Sequence, residues 1–426
     1  MRSLPMAPLL VWYGHVAAGA PRRPVSGLAL VRRAVLAAQA QGFDRIAVAV
    51  RRTDLVEVRA GLHRDRRIRA DVSVVEVEPK PSATVAHLLR PGDPDIVVVL
   101  GDRVWTPRIL ASLREPLAPD VAARTLVADP ADSDRHPSGL LRVRRELLDR
   151  LPLADGAPAS ALVGAVGEAG RVETVATDHH WRAVRTPEDT RAAETLLLRA
   201  LRKPADGIVA RHINRNLSLG LTRRLARTAI TPNQVSAVVL LVGLASGPFA
   251  ALGSRLGFAL GGLCYYLSSV LDGCDGELSR LKYLSSPIGA WVDTVVDDVV
   301  GLSFLSGLYL GLHRAADHPA WLWIGVAVVS AYALTIFPRY WLFVARVGVG
   351  DHQKLAADTR PADPRGLARL VLLLRDNIFR IDFLTFSAMV VCVAGVPAVF
   401  AASYAVGSVA SLIDTVVTFR RFLRRT

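Results

Sequence analysis

Along the first half of the chain, short apolar runs alternate with amphipathic stretches. "LLVWY", "RIAVAV", "DVSVVEV", "DIVVVLGD" and "RTLVAD" have strand length, and several lack polar alternation, as strands buried on both faces require. Between the first two, "LALVRRAVLAAQAQG" places its apolar residues at helical spacing. This alternation predicts a doubly wound α/β sheet. The opening "MRSLPMAPLLVWYGHVAAGAPRR" has an early Arg and an apolar run, but His15 breaks it and the strand and helix pattern follows at once. It reads as the first strand rather than a targeting segment.

From about Gln234 the pattern changes. Val235 to Ser254 and Pro319 to Pro338 are charge-free runs of 20 residues, each suited to one membrane crossing. Leu256 to Leu271 and Val299 to Leu312 are apolar but too short alone; they become spans if the acid-bearing segments beside them continue their helices. Phe383 to Ile413 is 31 uncharged residues, and extending it from about Asn377 to Phe419 with a turn near Gly395 and Pro397 supplies two crossings. The expected architecture is therefore α/β plus membrane all-α. Residues 1–203 form the soluble domain, 204–231 a juxtamembrane linker or helix, and 232–426 a bundle of six transmembrane helices. Basic residues crowd the segment from Arg346 to Arg380, the region before Pro232 and the tail "RRFLRRT". The positive-inside rule then puts the N-terminal domain, the C-terminus and the acid-rich helix ends on the cytoplasmic side of the cell membrane.

Composition adds little that the pattern lacks. The hydrophobic share of 51% exceeds that of an ordinary soluble protein. The formal charge of +14 is almost all arginine, since lysine occurs only at 80, 203, 282 and 354. It reads as a compositional bias toward Arg and Ala more than as a binding patch; without interleaved basic and aromatic residues it does not point to nucleic acid, while a basic face toward anionic lipid headgroups is compatible with it. Cys264, Cys274 and Cys392 show no metal-ligand spacing and read as small buried hydrophobes.

The exception to the apolar pattern is "LDGCDGELSRLKYLSSPIGAWVDTVVDD", residues 271–298. On a helix, Asp272, Asp275, Gly276 and Ser279 share one face, and Gly289, Asp293 and Asp297 repeat that geometry on the next. A hairpin through "RLKYLSSP" lets four carboxylates converge, whereas Asp298 lies about 100° round from Asp297 and is left out. Acids at membrane depth are costly and mark function. Oxygen-only ligands suit Mg²⁺ or Mn²⁺. Gly276 and Gly289 leave room beside the acids, and Arg280 offers a fork of donors to a phosphate. The residue chemistry leaves open a metal-phosphate site, helix caps, ion pairs with arginine, and a cation pathway through a transporter or a non-catalytic scaffold.

At every spacing, Asp272, Asp275, Gly276, Ser279, Arg280, Gly289, Asp293 and Asp297 match the signature of the CDP-alcohol phosphotransferase family, DxxDGxxAR, eight residues, GxxxDxxxD. Only the family's Ala is replaced, by Ser279. "TPNQVS", Thr231 to Ser236, resembles the family's element at the start of its first membrane helix. The resemblance implies transfer of a phosphoalcohol group from a CDP-alcohol to an acceptor hydroxyl, with release of CMP, by an integral membrane homodimer. It implies Asp272, Asp275 and Asp293 as ligands of a divalent metal, and Asp297 as general base that also helps the metal site. Gly276, Ser279 and Gly289 would line the cytidine side, with Asn233 and Arg280 near it. Lys282, Arg339, Arg346 and Arg380 are candidates to meet a charged acceptor such as a polyol phosphate; each equally suits a snorkelling role.

The soluble half resembles sugar-nucleotide and CDP-forming nucleotidyltransferases, with Asp102 of "GD" as the implied metal ligand or, more simply, a cap of the following element. The order of parts resembles the fusion of a cytidylyltransferase with a di-inositol-phosphate-phosphate synthase-type membrane domain. The family's Gly-rich phosphate loop is reduced here to "AAGAPRRPVSG", with Arg22 and Arg23 but no Lys. A loop without those groups loses much of its anion cradle, so the first domain is expected to be degenerate, with a bifunctional enzyme as the alternative.

Overall fold

The computed structural model describes residues 6–127, 137–153, 159–176, 180–203, 206–342 and 380–423. The chain divides into two compact units, residues 1–201 with 281–283, and residues 202–280 with 284–426.

The first unit is built on a seven-stranded sheet. Its strands are β1 (Leu9–Trp12), β2 (Arg45–Val50), β3 (Asp71–Glu76), β4 (Asp95–Leu100), β5 (Val121–Val127), β6 (Pro137–Arg144) and β7 (Arg171–Ala176). They lie in the order β7-β5-β6-β4-β1-β2-β3. β1, β2 and β4 are buried along their whole length, which is why their sequences run apolar without alternation. All pairings are parallel except those of β6, which runs antiparallel between β4 and β5. Helices α1 (Leu30–Ala40), α2 (Arg52–His63) and α3 (Pro187–Arg199) belong to the same unit. One core cluster packs Leu9, Val11, Val48 and Val97 with Val35 of α1 and Val58 of α2. Another gathers Leu10, Ala47 and Val98 with Leu162 of the helix Ala159–Gly167. Alternate residues of each strand thus face opposite layers, the two-sided burial that a doubly wound sheet demands.

The second unit is helical. After α4 (Arg215–Ala226) come α5 (Pro232–Ala251), α6 (Arg255–Leu281), α7 (Pro287–Ala316), α8 (Pro319–Leu342), α9 (Ile381–Val393) and α10 (Pro397–Leu423). The acid-bearing segments do continue the apolar runs: α6 and α7 hold 27 and 30 residues, or about 40 and 45 Å at the helical rise. The turn expected near Gly395 lies there, with Gly395 at φ +82° and Pro397 opening α10. Among the described residues, Pro232–Ala251, Pro287–Ala316 and Pro319–Ile336 are long and apolar enough to cross a membrane, and Ile381–Val393 and Pro397–Ile413 are shorter apolar helices. The sequence reading expected six crossings. The difference arises at three helices: α6 spends its last turns on acids, α9 is only 13 residues long, and the described apolar stretch of α10, Pro397–Ile413, is short of a full span.

Close packing sets α7 against α5. A Cβ added at Gly247 would lie 2.4 Å from the Ser303 carbonyl oxygen, and one at Gly307 would lie 2.1 Å from that of Gly247. Small residues of this kind let helix backbones meet where lipid offers no hydrophobic drive. Val300 fills the notch above Gly243, so the turns of α7 that carry Asp293 and Asp297 are held beside the first turns of α5.

Candidate functional site

Each helix of the site starts and stops for a local reason. Pro232 and Pro287 open α5 and α7 at positions where a missing N–H costs nothing. Ser286 caps α7, its hydroxyl accepting from the Gly289 N–H at 3.0 Å, and the Gln234 side chain accepts from the Thr231 N–H at 2.9 Å at the start of α5. The loop after α6 therefore turns the chain straight back, and the acid stripes of α6 and α7 lie side by side.

Their charges act on one another. Asp272 feels Asp297 and Asp293, and Asp275 feels Asp272 and Asp293. The four carboxylates that sequence spacing singled out are thus brought into one electrostatic neighbourhood. Asp275 is buried and accepts from the Ser236 hydroxyl at 2.7 Å. Arg280 has a buried Nε with no hydrogen-bond partner among the described residues. Its guanidinium folds back over Gly276, within 3.4 Å of where a Cβ would stand, and its charge reaches Asp293. Among the described residues no three His, Cys, Asp or Glu side chains form a ready coordination shell. The donor set is nevertheless all carboxylate oxygen, the chemistry a hard divalent cation takes, and neighbouring like charges disfavour one another's ionised form unless a cation offsets them.

The remaining predicted residues fall as follows. Ser279 donates to the carbonyl of Gly276 at 3.0 Å, so the hydroxyl that replaces the family's methyl is satisfied on its own helix. Asn233 is exposed in the first turn of α5, three residues before Ser236 and on the same face. Arg380 pairs with Asp382 at 3.3 Å, and Lys282 is buried outside α6 and α7. Arg346 lies outside the described residues, as does the side chain of Arg339. A small cleft beside Asp297 is lined by Tyr265, Ser268 and Ser269 of α6 and by Thr385 of α9.

Two acids of the same stretch have other work. Asp298 is buried and accepts from the hydroxyls of Tyr332 at 2.9 Å and Tyr340 at 2.8 Å, both on α8. Glu277, fully buried, was passed over in the sequence. It accepts from Ser218 at 2.7 Å and Thr222 at 2.8 Å and pairs with Arg215 at 2.8 Å, all on α4. Arg215 also holds Asp206 at 2.9 Å. The signal was present: Glu277 stands about 100° round the helix from Gly276, away from the acid stripe.

In the first unit, Asp102 is 1% exposed and sits among cations. Arg185 Nε donates to one oxygen at 2.8 Å and Arg103 Nε to the other at 3.2 Å, while His15 Nε2 stands 3.2 Å from that second oxygen in ion-pair range. Burial alone would raise its pKa; His15, Arg103 and Arg185 outweigh burial and hold the carboxyl well below the usual carboxylate range. Both oxygens are engaged by arginine, and Asp102 caps no helix among the described residues.

The CDP-alcohol phosphatidyltransferase family model matches residues 229–419. A Rubrobacter xylanophilus protein named bifunctional IPC transferase and DIPP synthase is 34% identical over 336 residues, 70% of this chain and 76% of that one. Proteins of the same name from Thermococcus kodakarensis and Aquifex aeolicus are 37% and 34% identical over 147 and 163 residues, 34% and 38% of this chain. Those matches span about a third of each relative's length, 32% and 37%. Among solved structures, HddC from Yersinia pseudotuberculosis aligns with 44% of this chain and 97% of its own at 14% identity and a TM-score of 0.34. With most of the Rubrobacter relative covered and the signature in place on α6 and α7, the chain belongs to the CDP-alcohol phosphatidyltransferase family.

Proposed function

We propose that the second unit is a membrane-embedded CDP-alcohol phosphotransferase. The observation that carries this reading is the mutual charge of Asp272, Asp275, Asp293 and Asp297 on two adjoining helices, with Arg280 beside them. Asp272, Asp275 and Asp293, helped by Asp297, would hold Mg²⁺ or Mn²⁺; when bound, the ion offsets negative charge on the leaving CMP. Asp297 accepts the proton of the acceptor hydroxyl as that oxygen attacks the alcohol-bearing phosphorus of the donor. The P–O bond to CMP breaks, and the phosphoalcohol passes to the acceptor. The small cleft beside Asp297, lined in part by Ser268, Ser269 and Thr385, marks the side from which that hydroxyl would come.

Gly276, Ser279, Gly289, Asn233 and Arg280 are assigned to the cytidine side, where the glycines admit the nucleotide close to the helix backbone. Arg380, Arg339, Arg346 and Lys282 remain the candidates for a charged acceptor. Six crossings, with the first unit, the site and the C-terminus cytoplasmic, complete the reading, as does assembly as a homodimer. The relatives' name favours a polyol donor over CDP-diacylglycerol. Purified protein supplied with a panel of CDP-alcohols and acceptors should release CMP only with Mg²⁺ or Mn²⁺, and the product is identified by mass spectrometry. Turnover that survives Asp→Asn at each of the four positions would return the acids to the cation-pathway reading.

A further inference from the structure

The proposed reaction consumes a CDP-alcohol, and the first unit has the architecture in which a nucleotide could be handled. In an open α/β sheet, ligands sit outside the carboxyl ends of the strands where the strand order reverses. Here that point lies between β1 and β4, because the chain leaves β1 for β2 on one side and returns to β4 on the other. The segments leaving the two strands, 13–23 and 101–102, spend polar groups on the chain's own side chains and carbonyls. Gly19, at φ +82°, donates its N–H to both carboxylate oxygens of Asp54 at 3.0 and 3.1 Å. Asp54 stands in the first turn of α2 and is 2% exposed. Arg22 is held 3.4 Å from the same carboxylate and pairs with Glu57. Arg23 donates to the Val184 carbonyl at 3.0 Å. On the β4 side Asp102 is taken up by Arg103, Arg185 and His15, and the ring of Tyr13 presses on Gly101, where an added Cβ would come within 2.5 Å.

We infer that the anion seat of the β1 loop is filled by the chain's own Asp54, so that the first unit binds no nucleoside triphosphate and the CDP-alcohol is made on another protein. A triphosphate entering this loop would meet a buried carboxylate on the N–H it needs and would have to strip two arginines of their partners. The reaction supplying the donor is a nucleotidyl transfer. An alcohol phosphate oxygen attacks the α-phosphorus of CTP, the bond from that phosphorus to the bridging oxygen breaks, and pyrophosphate leaves. The identity of the donor rests on the function proposed above; the closure of the loop rests on its own contacts.

The test uses the full chain in detergent or nanodiscs, labelled by light with an azido-CTP and Mg²⁺ and then mapped by peptide. A ligand at this point of the sheet would be reported by the peptides 9–23 and 95–106. The expected result is no label on either peptide above a dark control. Asp54→Ala, which removes both acceptor oxygens from the Gly19 N–H, should raise labelling of peptide 9–23 at least tenfold above the dark control. Pyrophosphate release from CTP and a panel of alcohol phosphates should stay at the level without protein, while CMP release from ready-made CDP-alcohols proceeds. Wild-type label on Tyr13 to Arg23, chain-dependent pyrophosphate release, or a folded Asp54→Ala variant as unreactive as wild type would each overturn the inference. Loss of CMP release alone would count against the proposed function and leave the closed loop standing.

Discussion

The two units bury carboxylates in opposite ways. In the first, Asp95 is fully buried and meets Arg142 at 3.1 Å, Arg144 at 3.5 Å and the Leu117 N–H at 3.2 Å; Asp54 and Asp102 are likewise surrounded by donors. In the second, Asp272, Asp275, Asp293 and Asp297 act on one another. A buried charge that is paired and hydrogen-bonded holds structure, and removing either partner is costly. Acids set face to face lack that internal pairing, and such clusters concentrate at functional sites. The contrast recurs within the second unit, since Glu277 and Asp298 lie in the same helices and are fully provided for by α4 and α8.

The widest separation between the two kinds of acid should come from Asp297→Asn. The substitution keeps shape and removes the proposed base, so CMP release should fall by about 10³-fold, within the range for general-base catalysis. CDP-alcohol binding, measured by equilibrium dialysis, should change only a few-fold. Near-normal turnover would remove Asp297 from the chemistry. Asp102→Ala should show the reverse. Stripping a buried carboxylate from Arg103 and Arg185 should cost the first unit about 3–5 kcal/mol, read by urea unfolding, with CMP release per folded molecule unchanged. An unfolding midpoint like wild type would mean that the pair holds nothing.

A smaller effect is expected at Asp298, next in sequence to the proposed base. Asp298→Leu removes the acceptor of the Tyr332 and Tyr340 hydroxyls, a loss of about 1–3 kcal/mol. It should lower the thermal midpoint while turnover stays within a few-fold. A loss of turnover as deep as that of Asp297→Asn would erase the distinction between these neighbouring residues.

Much of this distinction was legible before any coordinates. Helical spacing separated Asp298 from Asp297, the run length of "DIVVVL" announced a two-sided strand, and Gly395 with Pro397 marked the break between α9 and α10. What escaped the sequence are residues whose meaning depends on a distant partner. β6, "PSGLLRVR", looks too polar for a sheet interior because Arg142 and Arg144 lie in it, and only the buried Asp95 on β4 explains them. Glu277 has no role in the sequence pattern until Arg215, Ser218 and Thr222 are brought to it by α4. Ser236 stood within "TPNQVS" without a role, because its hydroxyl finds Asp275 39 residues further along the chain. Spacing reports which residues share a face; it does not report what the face meets.

The least of the expected effects is also the cleanest reading of how the first unit keeps its acids. The folded protein holds the Asp102 carboxyl below its ordinary range, against the pull of burial, through His15, Arg103 and Arg185. In the unfolded chain the same group titrates near pH 3.9. Its contribution to stability is therefore complete above about pH 4 and drains away as pH falls toward the folded value, because only the unfolded chain gains a proton in that interval. Asp65 and Asp93 are depressed as well, so acid alone weakens the fold at several places. The difference between wild type and Asp102→Asn isolates this one: urea unfolding from pH 7 down to pH 2.5 should give a constant gap above about pH 4 and a shrinking one below. A gap that widens with acid would mean that the carboxyl is held protonated, and that the cations around Asp102 are not what keeps it buried.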